Sequence, residues 1–313
     1  MLSRVADSMF WMNRYMERAE GLLRVLHTNY VLSLVKGPYG VHTWKPVLQI
    51  FGSLQEEELN QIQHSTADVL KYHITHASNP NSIRVLVNKA RENARGMQDH
   101  ITKEVWEEVN FIYHTVNNPL LEKHLSGEHA LATLTNLLKH CLTYAGVIDT
   151  TMPRGQGWCF MSAGKYVERG IITADVTWKQ FEQINFAIDD HKDILYWRNL
   201  LLSLSGYELH LKTYRSTSTN SNVLNQVIFN NDYPRSIIYT LSRLEKYVQD
   251  ILEVNDPPNK EEIYREFGRI HSRVKFADEN FIKQVTLRRF LEETKIDLLK
   301  FSHLLGQQFF SYA

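Results

Sequence analysis

Apolar side chains fall at Leu2, Val5, Met9, Met12, Met16, Ala19, Leu23, Leu26 and Tyr30, in alternating steps of three and four residues. With 3.6 residues per turn, that spacing is one face of a long helix. Similar spacing runs through 83–116, 129–149, 160–188, 234–254 and 261–310, and no convincing run alternates at period two. Glycine and proline interrupt the pattern at 36–40, 79–82, 152–157, 232–234 and 256–259, where helical geometry fails. The expected fold class is all-α.

The pattern repeats along the chain. Asn13-Arg14-Tyr15-Met16-Glu17-Arg18-Ala19 aligns with Gly164-Lys165-Tyr166-Val167-Glu168-Arg169-Gly170. Trp44-Lys45-Pro46-Val47-Leu48 then aligns with Trp197-Arg198-Asn199-Leu200-Leu201, and Asn79-Pro80-Asn81-Ser82-Ile83 with Tyr233-Pro234-Arg235-Ser236-Ile237. Three matches in one order at nearly one offset favour a tandem duplication over coincidence. The expectation is a duplicated helical bundle, 1–150 and 151–313, with a pseudo-twofold relation of the halves and packing as one compact unit. Ala163, Gly170 and Ala174 stand where the first half has Met12, Ala19 and Leu23, so close helix approach is expected there.

A second stripe, Arg4, Asp7, Trp11, Arg14 and Arg18, runs opposite the apolar face, beside a column of Asn13, Glu17, Glu20 and Arg24. One reading is a solvated face of ion pairs, each worth a few tenths of a kcal/mol. The other is a binding surface, favoured by the indole within the stripe and by the return of Tyr-x-Glu-Arg as Tyr166, Glu168 and Arg169, with Lys165 in place of Arg14. Arg84, Asn88, Arg91 and Arg95 follow steps of four, three and four, so their donors share a face. Guanidinium groups clamp carboxylate or phosphate oxygens with two parallel bonds, which makes the row a candidate anion site. Its alternative is structural bridging to Glu92, Asp99 or glutamates of other helices. Glu17 and Glu168 sit beside arginines that stabilise the ionised carboxylate, which suits arginine-orienting groups better than general bases. The loop Pro153-Arg154-Gly155-Gln156-Gly157-Trp158 reads as a linker rather than a phosphate cradle.

Composition narrows the function classes. Lys+Arg and Asp+Glu both number 35, so no net positive field favours nucleic acid. Cys141 and Cys159, the only cysteines, fit a reducing compartment, and the cytoplasm is the expected location. The N-terminus meets a charge at Arg4, unlike a signal peptide, and no uncharged apolar run reaches the ~20 residues a membrane span needs. His73 and His76 are the one histidine pair at helical ligand spacing, no Glu-x-x-His pair occurs, and no metal site is expected. His191 and His210 are expected to be exposed polar residues. Neither a Gly-x-Ser-x-Gly elbow nor a Cys-x-x-Cys motif is present.

The opening Met1-Leu2-Ser3-Arg4-Val5-Ala6-Asp7-Ser8, then Trp11-Met12-x-Arg14-Tyr15-x-Glu17-Arg18-Ala19-Glu20, resembles the bacterial alpha-E family. So do Ala90-Arg91-Glu92-Asn93-Ala94-Arg95, Gly157-Trp158-x-Phe160 and Gly164-x-Tyr166-x-Glu168-Arg169, and the resemblance covers essentially the whole chain. Lys165 and Gly170 depart from the Arg and Ala of the family pattern. Lysine keeps the charge but loses the bidentate fork. The resemblance implies a helical subunit or accessory protein working with a circularly permuted ATP-grasp ligase, and with a transglutaminase-like peptidase, in peptide or amide-bond metabolism. ATP and Mg would sit on the ligase, and no cofactor is expected on this chain. An anionic group would bind through Arg14, Arg18, Arg91 and Arg95, oriented by Glu17 and Glu92, with Lys165, Glu168 and Arg169 as second-half counterparts. Arg4, Trp11, Tyr15, Asn88 and Tyr166 are further candidates, and no catalytic residue is assigned. A stand-alone enzyme on a peptide-like substrate and a scaffold without a small-molecule site remain alternatives.

Overall fold

The computed structural model describes residues 2–34, 43–190, 192–214 and 219–310. The predicted break at 36–40 and His191 lie outside them. Among the described residues the regular structure is helical throughout, with no strand.

The chain divides into two compact units, Trp11–Pro153, and Met1–Phe10 with Arg154–Ala313. The division runs through the first helix, α1 (Ser3–Ser33). The unit from Trp11 continues with α2 (Lys45–Phe51), α3 (Glu56–Ile62), α4 (Thr66–Ile74), α5 (Ile83–Gly96), α6 (Lys103–Val116) and α7 (His129–Thr151). Here α5 packs on α6 and α6 on α7, around Leu86, Val109 and Leu134. Trp44 is buried before α2 and donates its indole N–H to Thr66 Oγ1 at 3.1 Å.

The other unit holds α8 (Gln156–Glu182), α9 (Ile194–Ser203), α10 (Tyr207–Thr213) and α11 (Thr219–Leu224), which runs into a π-helical turn at Asn225–Phe229. It continues with α12 (Ile237–Asn255), α13 (Lys260–Lys275), α14 (Glu279–Val285) and α15 (Leu287–Phe309). Helix α8 lies between α12 and α15, and α13 packs on both. A Cβ added to Gly170 would come within 2.7 Å of Leu298 Cδ1 and 3.4 Å of Thr240 Cγ2, so α8 does approach α15 and α12 closely there.

The long periodic stretches form helices, with two divisions that periodicity does not register. The run 83–116 breaks after Gly96 because Thr102 Oγ1 accepts from Val105 N–H and starts α6 afresh. The run 261–310 becomes three helices: Asp278 caps α14, accepting from Phe281 N–H at 2.7 Å, and Thr286, at φ 69°, caps α15. Neither division contains a proline. His210 is a correction to the sequence reading: it is buried, with Nδ1 2.8 Å from Gln226 Oε1, because α10 turns that face against the π-helical turn. Burial lowers its pKa, and the Gln226 bond opposes that in part.

Candidate functional site

In α1 most of the polar column, and Arg14 of the stripe beside it, is covered rather than solvated. Asn13, Arg14, Glu17 and Glu20 are buried, Arg14 to 3 % exposure and Glu17 to 8 %. The Arg14 guanidinium lies 4.6 Å from the Trp11 ring centroid, and Trp11 in turn sits 5.4 Å from Tyr15. Asn13 Oδ1 accepts from the Tyr144 hydroxyl of α7 at 2.6 Å, and Arg24 pairs with Glu20 one turn away. Arg4 is exposed. In α8 the equivalent carboxylate, Glu168, is 1 % exposed, while Lys165 and Arg169 are half-buried like Arg18. Burial of such charges is tolerated only where partners meet them.

Each unit handles its Glu-Arg pair in the same manner. Arg18 Nη1 donates to Asn81 Oδ1 at 3.0 Å, in the turn that starts α5. Arg169 Nη1 donates to the Pro234 carbonyl at 3.4 Å, in the turn that starts α12. Thr173 Oγ1 adds a bond to the Arg235 carbonyl at 3.0 Å. Both turns end in a buried serine cap: Ser82 accepts from Val85 N–H and Ser236 from Tyr239 N–H. Ser236 also donates to the Asn230 carbonyl at 2.6 Å. Ser236→Ala is expected to cost ~1–2 kcal/mol, read as a lower urea midpoint at unchanged m-value. A cost below ~0.3 kcal/mol would mean that the cap does not anchor this turn.

The motif tyrosines meet a cation from the helix that follows each turn. Lys89 Nζ of α5 lies 5.6 Å from the Tyr15 ring. Arg243 of α12 donates through Nη2 to the Tyr247 hydroxyl at 3.4 Å and interacts with the Tyr166 phenol next to it. Tyr166 and Tyr247 stack at 5.9 Å, and Lys165 and Arg169 lie 5.7 and 5.4 Å from the Tyr166 ring. Burial pushes the Tyr166 phenol up, so it stays protonated and neutral near pH 7. The Tyr166 phenol in turn raises the Arg243 pKa, and the other groups that raise it are the phenols of Tyr247 and Tyr239. Arg243 Nε is buried without a hydrogen-bond partner among the described residues. Three positive groups therefore lie around Tyr166, whose phenol is neutral.

The sequence did not single out Arg243, but the repeat contains the signal. The offset that aligns Asn79–Ile83 with Tyr233–Ile237 also aligns Lys89 with Arg243.

The arginine row of α5 is used differently. Arg84 donates to the Val116 and Thr75 carbonyls at 3.0 and 3.2 Å, and Asn88 Oδ1 accepts from Asn117 at 2.8 Å. Arg91 donates to Asn110 Oδ1 at 2.8 Å, lies 4.3 Å from the Tyr113 ring and reaches Glu92 at 3.4 Å. The hydrogen bonds of these three side chains tie α5 to the end of α4 and to the α6 segment. Arg95 is exposed in the last turn of α5, where a cation favours the helix dipole. Arg14 thus lies on Trp11, Arg18 reaches Asn81, and Arg91 is tied to α6.

Both thiols are poor nucleophiles. Burial pushes Cys159 up to about 11, helped by Asp250, and pushes Cys141 up as well, helped by Glu20 and Glu108. Among the described residues no cluster of three or more metal-ligating side chains occurs, and no helix is long and apolar enough to cross a membrane.

A family model described as a predicted alpha-helical domain with a conserved ER motif matches residues 1–310. Glu17-Arg18 and Glu168-Arg169 are the two Glu-Arg dipeptides of the sequence. No curated protein and no solved structure matches the chain.

Proposed function

The chain belongs to the Alpha-E family, and we propose that it is a helical accessory subunit that presents an anionic substrate group, carboxylate or phosphate, to an ATP-grasp-type ligase in peptide or amide-bond metabolism. The observation that carries the anion-binding part is the Lys165, Arg169 and Arg243 cluster on Tyr166 and Tyr247. The Tyr247 phenol orients the guanidinium of Arg243 by a hydrogen bond yet leaves its charge available to an oxyanion. The parallel handling of Arg18 with Asn81 and Lys89 with Tyr15 supports the reading of the chain as a duplication. In that reading the buried Glu17 and Glu168 fix the helical frame, and the α8–α12 copy is the better anion site. The ligase association rests on the family resemblance alone, with ATP and Mg on the partner.

Thermal unfolding of the full chain, at constant ionic strength, would be followed with inorganic phosphate, acetyl phosphate, Mg·ATP, and short peptides with free or amidated C-termini. One anion class is expected to raise the midpoint, by up to ~2.7 kcal/mol of stabilisation at a hundredfold excess over Kd. Arg243→Gln should abolish the shift. No shift with any ligand, or one that survives Arg243→Gln, would defeat the anion-site reading.

A further inference from the structure

A second constellation lies on the opposite side of α12, toward α13. Ser242 and Glu245 are three residues apart on α12 and so share a face. His271 of α13 stands against both. Its Nδ1 is 3.0 Å from Glu245 Oε1 and its Nε2 is 3.3 Å from Ser242 Oγ. The carboxylate can only accept, so Nδ1 carries the proton and Nε2 presents its lone pair to the Ser242 hydroxyl. Hydroxyl, imidazole and carboxylate thus stand in the order that activates a serine, with the loose Ser–His distance usual in an unliganded site.

Three further observations make this more than a bridge between two helices. Ser242, Glu245 and His271 all line one cavity of about 660 Å³. Ser242 is exposed and thus open to substrate, whereas His271 is only 6 % exposed and its ring is held in place. The lining also includes Asn225 and Phe229, the first and last residues of the π-helical turn, an irregularity that occurs disproportionately at functional sites. Asn225 Oδ1 is occupied by the Tyr214 hydroxyl at 2.9 Å, which leaves its NH2 as a donor, and Lys275 stands one turn beyond His271 on the same cavity. Leu224, Phe229, Ile238 and Val274 give the cavity an apolar side.

We propose that Ser242, His271 and Glu245 form an acyl-transfer site that takes carboxylic esters with short apolar acyl groups. Ser242 Oγ attacks the ester carbonyl as His271 Nε2 takes its proton. The C–O bond to the alcohol breaks, and His271 returns the proton to the departing alkoxide, leaving an acyl-serine. Water, deprotonated by the same nitrogen, then releases the carboxylic acid and restores Ser242. Asn225 and Lys275 are the groups placed to meet the oxyanion. Glu245 is a positioning residue, holding the tautomer and orientation of His271. The site is separate from the cationic cluster on Tyr166 and does not depend on it.

The full chain would be treated with a fluorophosphonate, whose phosphorus bonds to an activated serine oxygen with loss of fluoride, and mapped by peptide mass spectrometry. Hydrolysis of p-nitrophenyl acetate, butyrate and octanoate would be followed alongside. Modification is expected at Ser242, with a p-nitrophenol burst for the shorter esters. His271→Gln should slow both reactions by ~10²–10⁴-fold, the usual share of a general base. Glu245→Gln should lower kcat with little change in KM. Ser242→Ala places a better helix former at an exposed helical position, so the fold is retained and the burst is lost. Folded protein left unmodified at Ser242, labelling as fast in His271→Gln as in the wild type, or a burst that survives Ser242→Ala would each overturn the proposal.

Discussion

Glu168→Ala is expected to lower the stability of its unit by ~3–5 kcal/mol, the cost of truncating one member of a buried charge network. Glu168 lies in the middle of α8 at 1 % exposure, where α8 is pressed between α12 and α15. A carboxylate held there is tolerated because its charge is met, and removing it strands the groups that meet it. At ~2–4 °C per kcal/mol for a unit of this size, the thermal midpoint should fall by roughly 6–20 °C. Glu168→Gln keeps the volume and one acceptor while removing the charge, so it should fall between wild type and alanine. Arg169→Gln, at a half-buried position, should cost less. A loss below ~1 kcal/mol for Glu168→Ala would mean that the buried glutamate of the motif does not hold the frame.

That glutamate marks where the sequence stopped being legible. The 3.6-residue period identified α1, α7, α8 and α12 because each is at least nineteen residues long and carries many turns of pattern. Helices α2, α3 and α10 span seven residues each, too short for a period to stand out, and they escaped notice. The charged stripe of α1 and the column beside it could be read either as a solvated or as a functional face, since periodicity says which residues share a side but not what covers it. Burial of Arg14 and Glu17 removes the solvated reading for those positions. The spacing of the α5 row says that its side chains share a face, yet Asn110, Val116 and Asn117, which bond to it, come from α6 and the residue that follows it. Tertiary placement also hid Ser242 and His271, which are twenty-nine residues apart and match no local motif. The absence of a Gly-x-Ser-x-Gly elbow excluded one way of presenting a serine, not a serine brought to a histidine by helix packing.

The largest expected pH effect belongs to His73, in the other unit. Its ring is fully buried in α4, with Nε2 lacking a hydrogen-bond partner and Nδ1 3.5 Å from Asn79 Nδ2. Burial, with nothing to offset it, pulls its pKa down to about 3 from the ordinary 6.5. Because the folded value is depressed for a base, the unfolded chain binds the proton first. Stability is therefore complete above pH 6.5 and declines as the pH falls from 6.5 toward 3. At ~1.4 kcal/mol per unit, acidification from pH 7 to pH 5 should cost about 2 kcal/mol through this residue alone. Other groups also titrate in that interval, so the measurement is a difference: urea unfolding of wild type and His73→Phe at pH 7 and pH 5. Phenylalanine removes the proton site and the unpartnered nitrogen, and any packing cost is common to both pH values and cancels. The variant is expected to lose about 2 kcal/mol less than wild type over the interval. Equal losses would show that His73 is protonated in the folded chain by pH 5, through an opening of α4 that lets water reach Nε2.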